Sequence, residues 1–409
     1  MKIRTLIAAI AISLTSQVNA QWDTLSTGYN LKYEAIDFKD ANNGVLIGND
    51  ISGVGAGYIL ITTDGGNNWS NPLGYQLERH DVDYSPNGNF WVVGDSGRVI
   101  YLGWPSSGYI FQGYLTQYDL YCGYTVNDSA FFCAGESGVL YSTFNSGLTW
   151  DTLSSGTGEN VNDIYFSDAA NGWIVADGGY LATTNDSGNT WTFVQQSLWG
   201  FYDFNGFAYQ GSSGLNPYIV GEFGQGQFSV DNGDNWYSFT TNTVTDLNKI
   251  RFGTTLGGVI CGNNGFISRS IDGGGSWFTE TAPRNANLLD IAFAGDTTAY
   301  ICGDSGVVLK STVDISGIDN NSFSYFGASA FPNPFVQSLT VSILAEENTS
   351  ANLVIADVTG KTVLTQNCSN LAQGVNRVEI GGAEYLAPGM YFITVISDAG
   401  NITLPVMKQ

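Results

Sequence analysis

The sequence predicts an all-β protein: a seven-bladed β-propeller followed by a small antiparallel β-sandwich. Three observations carry that prediction. One turn motif is written five times at a near-constant period, a glycine-containing hairpin turn recurs seven times, and after Ile318 a different strand pattern begins. A repeat of about 40 to 45 residues is the size of one four-stranded propeller blade.

The turn motif runs Thr62 to Trp69, Thr143 to Trp150, Thr184 to Trp191, Ser229 to Trp236 and Ser270 to Trp277. Five positions before the Trp stand Asp64, Asn145, Asp186, Asp231 and Asp272, and a Gly lies three before it. The side-chain oxygen can accept backbone N–H groups within the turn, and the Gly supplies a positive φ. Trp69, Trp150, Trp191, Trp236 and Trp277 then begin the next strand and bury a large apolar face. Their spacings are 81, 41, 45 and 41, so one blade is skipped between the first two. That blade reads Leu102-Gly103-Trp104-Pro105 where the motif is expected.

The glycine turns number the blades. They are Ile47-Gly48-Asn49, Val93-Gly94-Asp95, Ala134-Gly135-Glu136, Val175-Ala176-Asp177, Val220-Gly221-Glu222, Cys261-Gly262-Asn263 and Cys302-Gly303-Asp304. The seventh blade reaches Ser311-Thr312 but no Trp follows. Its missing strand is found at the other end of the chain, where Trp22-Asp23-Thr24-Leu25-Ser26 repeats Trp150-Asp151-Thr152-Leu153-Ser154. The N-terminal strand is therefore expected to complete the last blade and close the ring, which removes an exposed sheet edge.

These repeats, over residues 21–316, resemble Asp-box (BNR) propellers, and the run from Gly172-Trp173 to Trp191 resembles the subgroup that includes photosystem II assembly factors. The resemblance implies the fold. It leaves function open, because such propellers include sialidases, endoglucanases, receptors and assembly factors.

Residues 1–20 carry Lys2 and Arg4, an apolar stretch from Leu6 to Leu14, then Val18-Asn19-Ala20. That pattern predicts a secretory signal peptide, too short to span a bilayer, and no later stretch is apolar enough to be a transmembrane helix. The net charge is −23, from 37 acids against 14 bases, which argues against binding nucleic acid or an anionic membrane. Five cysteines leave at least one unpaired. Cys122 and Cys133 flank Asn127-Asp128 symmetrically and are a candidate disulfide across a hairpin.

After a polar linker over 317–330, residues 331–409 read as alternating strands of a small sandwich. Pro332-Asn333-Pro334, Asp357-Val358-Thr359-Gly360-Lys361, Gly374-Val375-Asn376 and Pro388-Gly389-Met390 resemble the type A C-terminal sorting domain of the type IX (Por) secretion system. The resemblance implies a Bacteroidetes-type bacterium, type IX secretion machinery as partner, and a secreted, extracellular or outer-membrane-surface location. One departure is the final segment, which carries a single Lys408 where basic residues often cluster.

Two functional readings follow. The first is a non-catalytic propeller that binds an extracellular protein or glycan; the alternative is a glycan-active hydrolase. A sialidase needs arginines clustered on a sugar carboxylate, and Arg79, beside His80, is the one arginine placed to reach a top-face loop. Other glycosidases need two carboxylates, and acids are plentiful. His80 reads either as a general base or as a strand histidine satisfied by a neighbouring Asp. No cofactor is expected, with one reservation. Asp95, Glu136, Asp177, Glu222 and Asp304 should share the face of the glycine turns with Asn49 and Asn263, as a candidate ring for a cation such as Ca²⁺ or for a basic partner. The competing reading of the ring is ordinary turn chemistry.

Overall fold

The computed structural model describes residues 22–408 apart from 53–54, 71–72, 76, 104–108, 195–201, 211–215, 230, 240, 242, 254–256, 272, 296–297, 313–325, 332–334, 346–347 and 398–399. The expected signal peptide, Asp272 and Pro332-Asn333-Pro334 lie outside the described residues. Strands and short 3₁₀ turns make up the described elements, and no described helix is long and apolar enough to cross a membrane.

Residues 23–312 form seven antiparallel four-stranded sheets. Six are built from strands consecutive in the chain. The seventh has the order Asp23–Thr24, Val308–Thr312, Thr298–Gly303, Leu288–Ala294, so its outermost strand comes from the beginning of the described chain. Asp23 sits opposite Lys310 and Thr24 opposite Leu309, and Leu25 N–H extends the ladder to the Val308 carbonyl at 2.8 Å. Trp22 is 5% exposed beneath this strand, with Arg269 over its ring at 5.0 Å.

The first strand of each sheet packs on the first strand of the next, and Leu31–Phe38 also packs on Leu288–Ala294. One hydrophobic cluster accordingly joins Leu31, Tyr33, Ile36 and Phe38 with Ala292, Tyr300 and Val308, residues from the two ends of the repeat region. Second strands such as Phe90–Gly94 and Gly258–Gly262 are buried at every residue. They read as continuous apolar runs because both faces meet a neighbouring sheet.

The five motif turns share one geometry where described. Thr62 Oγ1 donates to Asp64 Oδ1 and accepts Gly66 N–H at 2.9 Å, while Asp64 Oδ1 accepts Asn68 N–H at 2.8 Å. Asn145 does the same work in the second copy, accepting Thr149 N–H at 2.9 Å. Asp186 and Asp231 each accept the N–H four residues on at 2.8 Å. The turn needs two successive positive φ angles, met by Gly65 and Gly66 at +68° and +83° and by Ser146 and Gly147 at +56° and +82°. The Trp residues meet aromatic edges: Trp69 on Phe38, Trp150 on Trp91, Trp191 on Phe166, Trp236 on Trp173 and Trp277 on Phe252.

The expected disulfide is not formed; all five cysteines are free and buried. The register explains why. Cys122 faces Ala134, and Cys133 faces Gly123, so the two side chains leave opposite faces of the sheet. Cys122 packs with Phe132 and Ile164 and Cys133 with Trp91 and Phe131, in two separate cores. Both behave as small hydrophobes.

The C-terminal unit is a sandwich of two antiparallel sheets. Phe326–Phe331, Thr340–Ala345 and Gly374–Glu379 form one; Thr362–Leu371, Thr349–Asp357, Gly389–Ser397 and Gly400–Lys408 form the other. The unit thus begins at Phe326, earlier than the expected boundary at residue 331, because Phe326–Phe331 pairs along its length with Thr340–Ala345. Its core holds Phe335, Leu339, Val341, Leu353, Ile355 and Ile393. Gly360, at φ +81°, closes a turn in which Asp357 Oδ1 accepts Thr359 and Lys361 N–H. Gly389 opens a strand, and just before it the Tyr391 hydroxyl donates to the Ala387 carbonyl at 2.8 Å. Lys408 is not an exposed tail charge. It is buried, donates to the Val336 carbonyl and lies over the Phe335 ring at 5.3 Å.

Candidate functional site

The first strands line a central cavity of about 240 Å³. Its wall carries Asp37, Asp81, Asp83 and Asp290 on one group of strands and Arg251 on another, among Tyr124, Tyr165 and Tyr209. Asp163 and Lys249 lie beside it, 3.2 Å apart, and Arg251 Nη1 reaches Asp163 at 3.4 Å. Five acids therefore face two bases.

Each acid clips one sheet to the next by accepting a backbone N–H. Asp37 accepts from Tyr84 at 2.8 Å, Asp81 from Gly123 at 2.8 Å, Asp83 from Thr125, Asp163 from Phe207 at 2.9 Å and Asp290 from Ile36 at 2.9 Å. The last bond runs from the seventh sheet to the first. These N–H groups are surplus to the ladders of their own sheets, and a buried donor without a partner is costly.

Burial pushes the Asp37 carboxyl up to about 6, against the N–H bonds it accepts. Burial likewise raises Asp81 to about 7, Lys249 opposing and Asp290 adding to the effect. Asp83 is raised well above the usual range by burial and by the charge of Asp37. Asp163 goes the other way: burial works to raise it, but the Lys249 and Arg251 charges outweigh burial and hold it low. The cavity is thus an acidic group partly compensated by two cations that both favour Asp163.

The predicted ring residues lie at the turns between the second and third strands. There each carboxylate binds the residue leading into its own sheet: Asp95 accepts Glu78 N–H at 3.1 Å, Glu136 accepts Asp119 N–H at 3.2 Å, Glu222 accepts Asp203 N–H at 3.2 Å and Asp304 accepts Asn287 N–H at 3.1 Å. Asp177 instead accepts both Asn160 and Asn162 amides, at 2.9 and 2.7 Å. The five acids thus sit on five different sheets, with Asn49 and Asn263 at the same position of the other two.

His80 Nε2 meets Asp95 Oδ1 at 2.8 Å, and His80, Asp95 and Asp119 bring three ligand atoms within 4.8 Å of one another. The repeat accounts for this arrangement. Asn162 and Asn248 occupy the position of His80 in their sheets and make the matching bond to Asp177 and Asn263. Asp119 accepts Ser96 N–H at 2.8 Å, as Asp203 accepts Gly178 N–H and Asp246 accepts Phe223 N–H. Arg79 is 0% exposed and donates to the Leu77 and Glu78 carbonyls at 3.0 and 2.9 Å, so it is not presented to a sugar.

The cavity acids escaped the motif reading. Their signal is an Asp inside an otherwise apolar first strand, as in Ala35-Ile36-Asp37-Phe38, Asp163-Ile164 and Leu289-Asp290-Ile291.

The architecture is that of an all-β propeller joined to a β-sandwich, and both parts have relatives. Residues 329–409 match the secretion system C-terminal sorting domain, and residues 142–245 match the photosynthesis system II assembly factor YCF48 family. Among solved structures, YCF48 from Cyanidioschyzon merolae is similar at a TM-score of 0.59 and 19% identity, over 71% of this chain and 98% of that one. YCF48 bound to D1 peptide is similar at 0.60 and 18%, over 72% and 97%. The RRP9 WD40 repeats reach the same TM-score of 0.60 at 7% identity, over 71% and 97%, which marks the likeness as one of fold. No curated protein matches the chain.

Proposed function

We propose that this protein is a secreted or cell-surface interaction module. Its C-terminal sandwich directs export through the type IX system, and its propeller, closed as seven blades by the Trp22 strand, binds a partner without catalysis. The observation that carries the reading is the match of residues 329–409 to the sorting-domain family, on a chain whose remainder is a YCF48-like propeller. A leader over residues 1–20 would bring the chain to the periplasm, and the sandwich would take it across the outer membrane.

The cavity supports the non-catalytic reading. Every acid around it accepts an N–H that fastens neighbouring sheets, and its volume of about 240 Å³ is below the range of about 300–1,000 Å³ usual for small-molecule sites. One YCF48 structure is described as bound to a peptide, and a peptide segment of another exported or surface protein is the partner class we favour here.

Export is tested by placing residues 318–409 behind a signal peptide and a neutral cargo in a type IX-competent host. The cargo should reach the medium or the cell surface, and its retention in the periplasm would remove the address. For the propeller, turnover on a glycan panel that a single carboxylate change abolishes would replace binding with hydrolysis.

A further inference from the structure

The turns between second and third strands repeat closely, and one of them breaks its own rule. Outside the first sheet, whose connection is longer, the second turn residue is left-handed: Ser96 at φ +54°, Ser137 at +55°, Gly178 at +66°, Asn264 at +58° and Ser305 at +56°. These are residues that tolerate such a conformation or hydrogen-bond locally. In the fifth sheet the same position is Phe223, at φ +54°. A bulky residue there is a backbone outlier, and Phe223 is 54% exposed.

Among the described residues one aromatic ring meets it. Tyr202, 42% exposed, meets it edge to face at 5.3 Å between centroids and 62° between planes. Three carboxylates surround the pair in the chain and in space. Glu222 precedes Phe223, Asp203 follows Tyr202 and donates its N–H to Glu222, and Asp246 accepts Phe223 N–H at 3.1 Å. Among the described residues none of the three forms an ion pair with Lys, Arg or His.

We infer that Tyr202 and Phe223, with Asp203, Glu222 and Asp246, form a docking platform for an arginine- or lysine-bearing peptide segment. Resting on the binding reading above, this names its partner chemistry. A guanidinium stacks on an aromatic face and takes carboxylate oxygens at its edge, and both are offered here within one turn. The net charge of −23 draws such a segment in and makes its capture salt-dependent. A neutral sugar can donate hydroxyls to these carboxylates but gains no charge attraction from them, so dependence on ligand charge and on salt separates the two ligands. Tyr and Phe exposed side by side also offer the aromatic faces that interfaces are enriched in.

The test uses the mature full chain and a fluorescent arginine–glycine repeat peptide, with its citrulline counterpart as the uncharged control. Phe223→Ser installs the residue that three sister turns carry, so folding is preserved or improved and loss of binding is not loss of structure. We expect Phe223→Ser and Tyr202→Ser to weaken peptide binding about tenfold, Glu222→Gln several-fold, and Glu159→Gln, an exposed acid of another loop, less than twofold. The citrulline peptide should bind at least tenfold more weakly. Undiminished binding to Phe223→Ser would overturn the platform while leaving a binding propeller with its site elsewhere. Equal binding of the citrulline peptide, or a glycan that binds in a Phe223-dependent way while the arginine peptide does not, would overturn it too. Glycan turnover would instead overturn the parent reading.

Discussion

Trp22 and Glu280 stand 258 positions apart in the chain, and the indole N–H of the first donates to a carboxylate oxygen of the second at 2.6 Å. The other Glu280 oxygen accepts from Arg269 Nε at 2.8 Å, and the same guanidinium covers the indole face. A hydrogen bond, an ion pair and a stacked cation thus converge on one buried Trp where the seventh sheet meets the sixth.

That convergence makes Trp22 a stability determinant. Trp22→Ala is expected to cost about 3–5 kcal/mol in urea unfolding, the range of a buried Trp truncation. Deleting residues 21–28 should go further and expose the edge of Val308–Thr312 to intermolecular pairing, seen as aggregation by light scattering. A soluble deletion with an unchanged melting temperature would place the seal elsewhere.

The cavity acids set a pH dependence. Asp37 and Asp81 are raised from the usual carboxylate value to about 6 and about 7, so the folded state holds protons that the unfolded chain has already lost. Their cost to folding begins as the pH rises past the usual carboxylate value of about 4 and is complete above the folded values of about 6 and about 7. Melting temperature should therefore rise as pH falls from 8 to 5. Asp83→Asn keeps an acceptor for Thr125 N–H and removes the charge next to Asp37; it should stabilise on the order of 1 kcal/mol at pH 8 and flatten the slope. A steeper slope in the variant would contradict this account of the cavity.

Calcium should leave the melting temperature unchanged. A hard cation of this size collects six to eight oxygens, whereas the turn acids are distributed one to a sheet and each is bonded to its own strand approach. A rise of several degrees with calcium, reversed by chelator, would restore the ring as a metal site.

Thiol titration provides a further check. All five cysteines should be unreactive in the native protein and fully reactive in guanidinium without reductant, because burial raises the thiols of Cys122, Cys133, Cys261 and Cys302 and leaves them without a bonding partner. Fewer than five reactive thiols would mean a bridge.

The repeat was legible because turn chemistry is local. Thr62, Asp64, Gly66 and Trp69 act within eight residues, so their spacing announces the hairpin, and the echo of Trp150-Asp151-Thr152 in Trp22-Asp23-Thr24 announces the N-terminal strand. The Cys122–Cys133 pairing failed on register: the ladder pairs Thr125 with Phe131 and Gly123 with Cys133, so the hairpin is centred on Asp128 and not between Asn127 and Asp128. The acids around the cavity were hidden for another reason. Asp163 and Phe207 belong to different sheets, and nothing local in either strand records that one accepts from the other. Phe223 stood in plain view, but only the φ shared by its sister turns shows that it is out of place.

The pairing of Asp23–Thr24 with Val308–Thr312 also sets an order in time. The first repeat segment to leave the ribosome has no ladder partner until the last sheet has been made, and any chain that stops short remains an open arc with two bare margins. Loop closure over so long a contour is slow. A polypeptide built this way stays unfinished throughout synthesis, because the margin of Val308–Thr312 and its partner strand are made last and first.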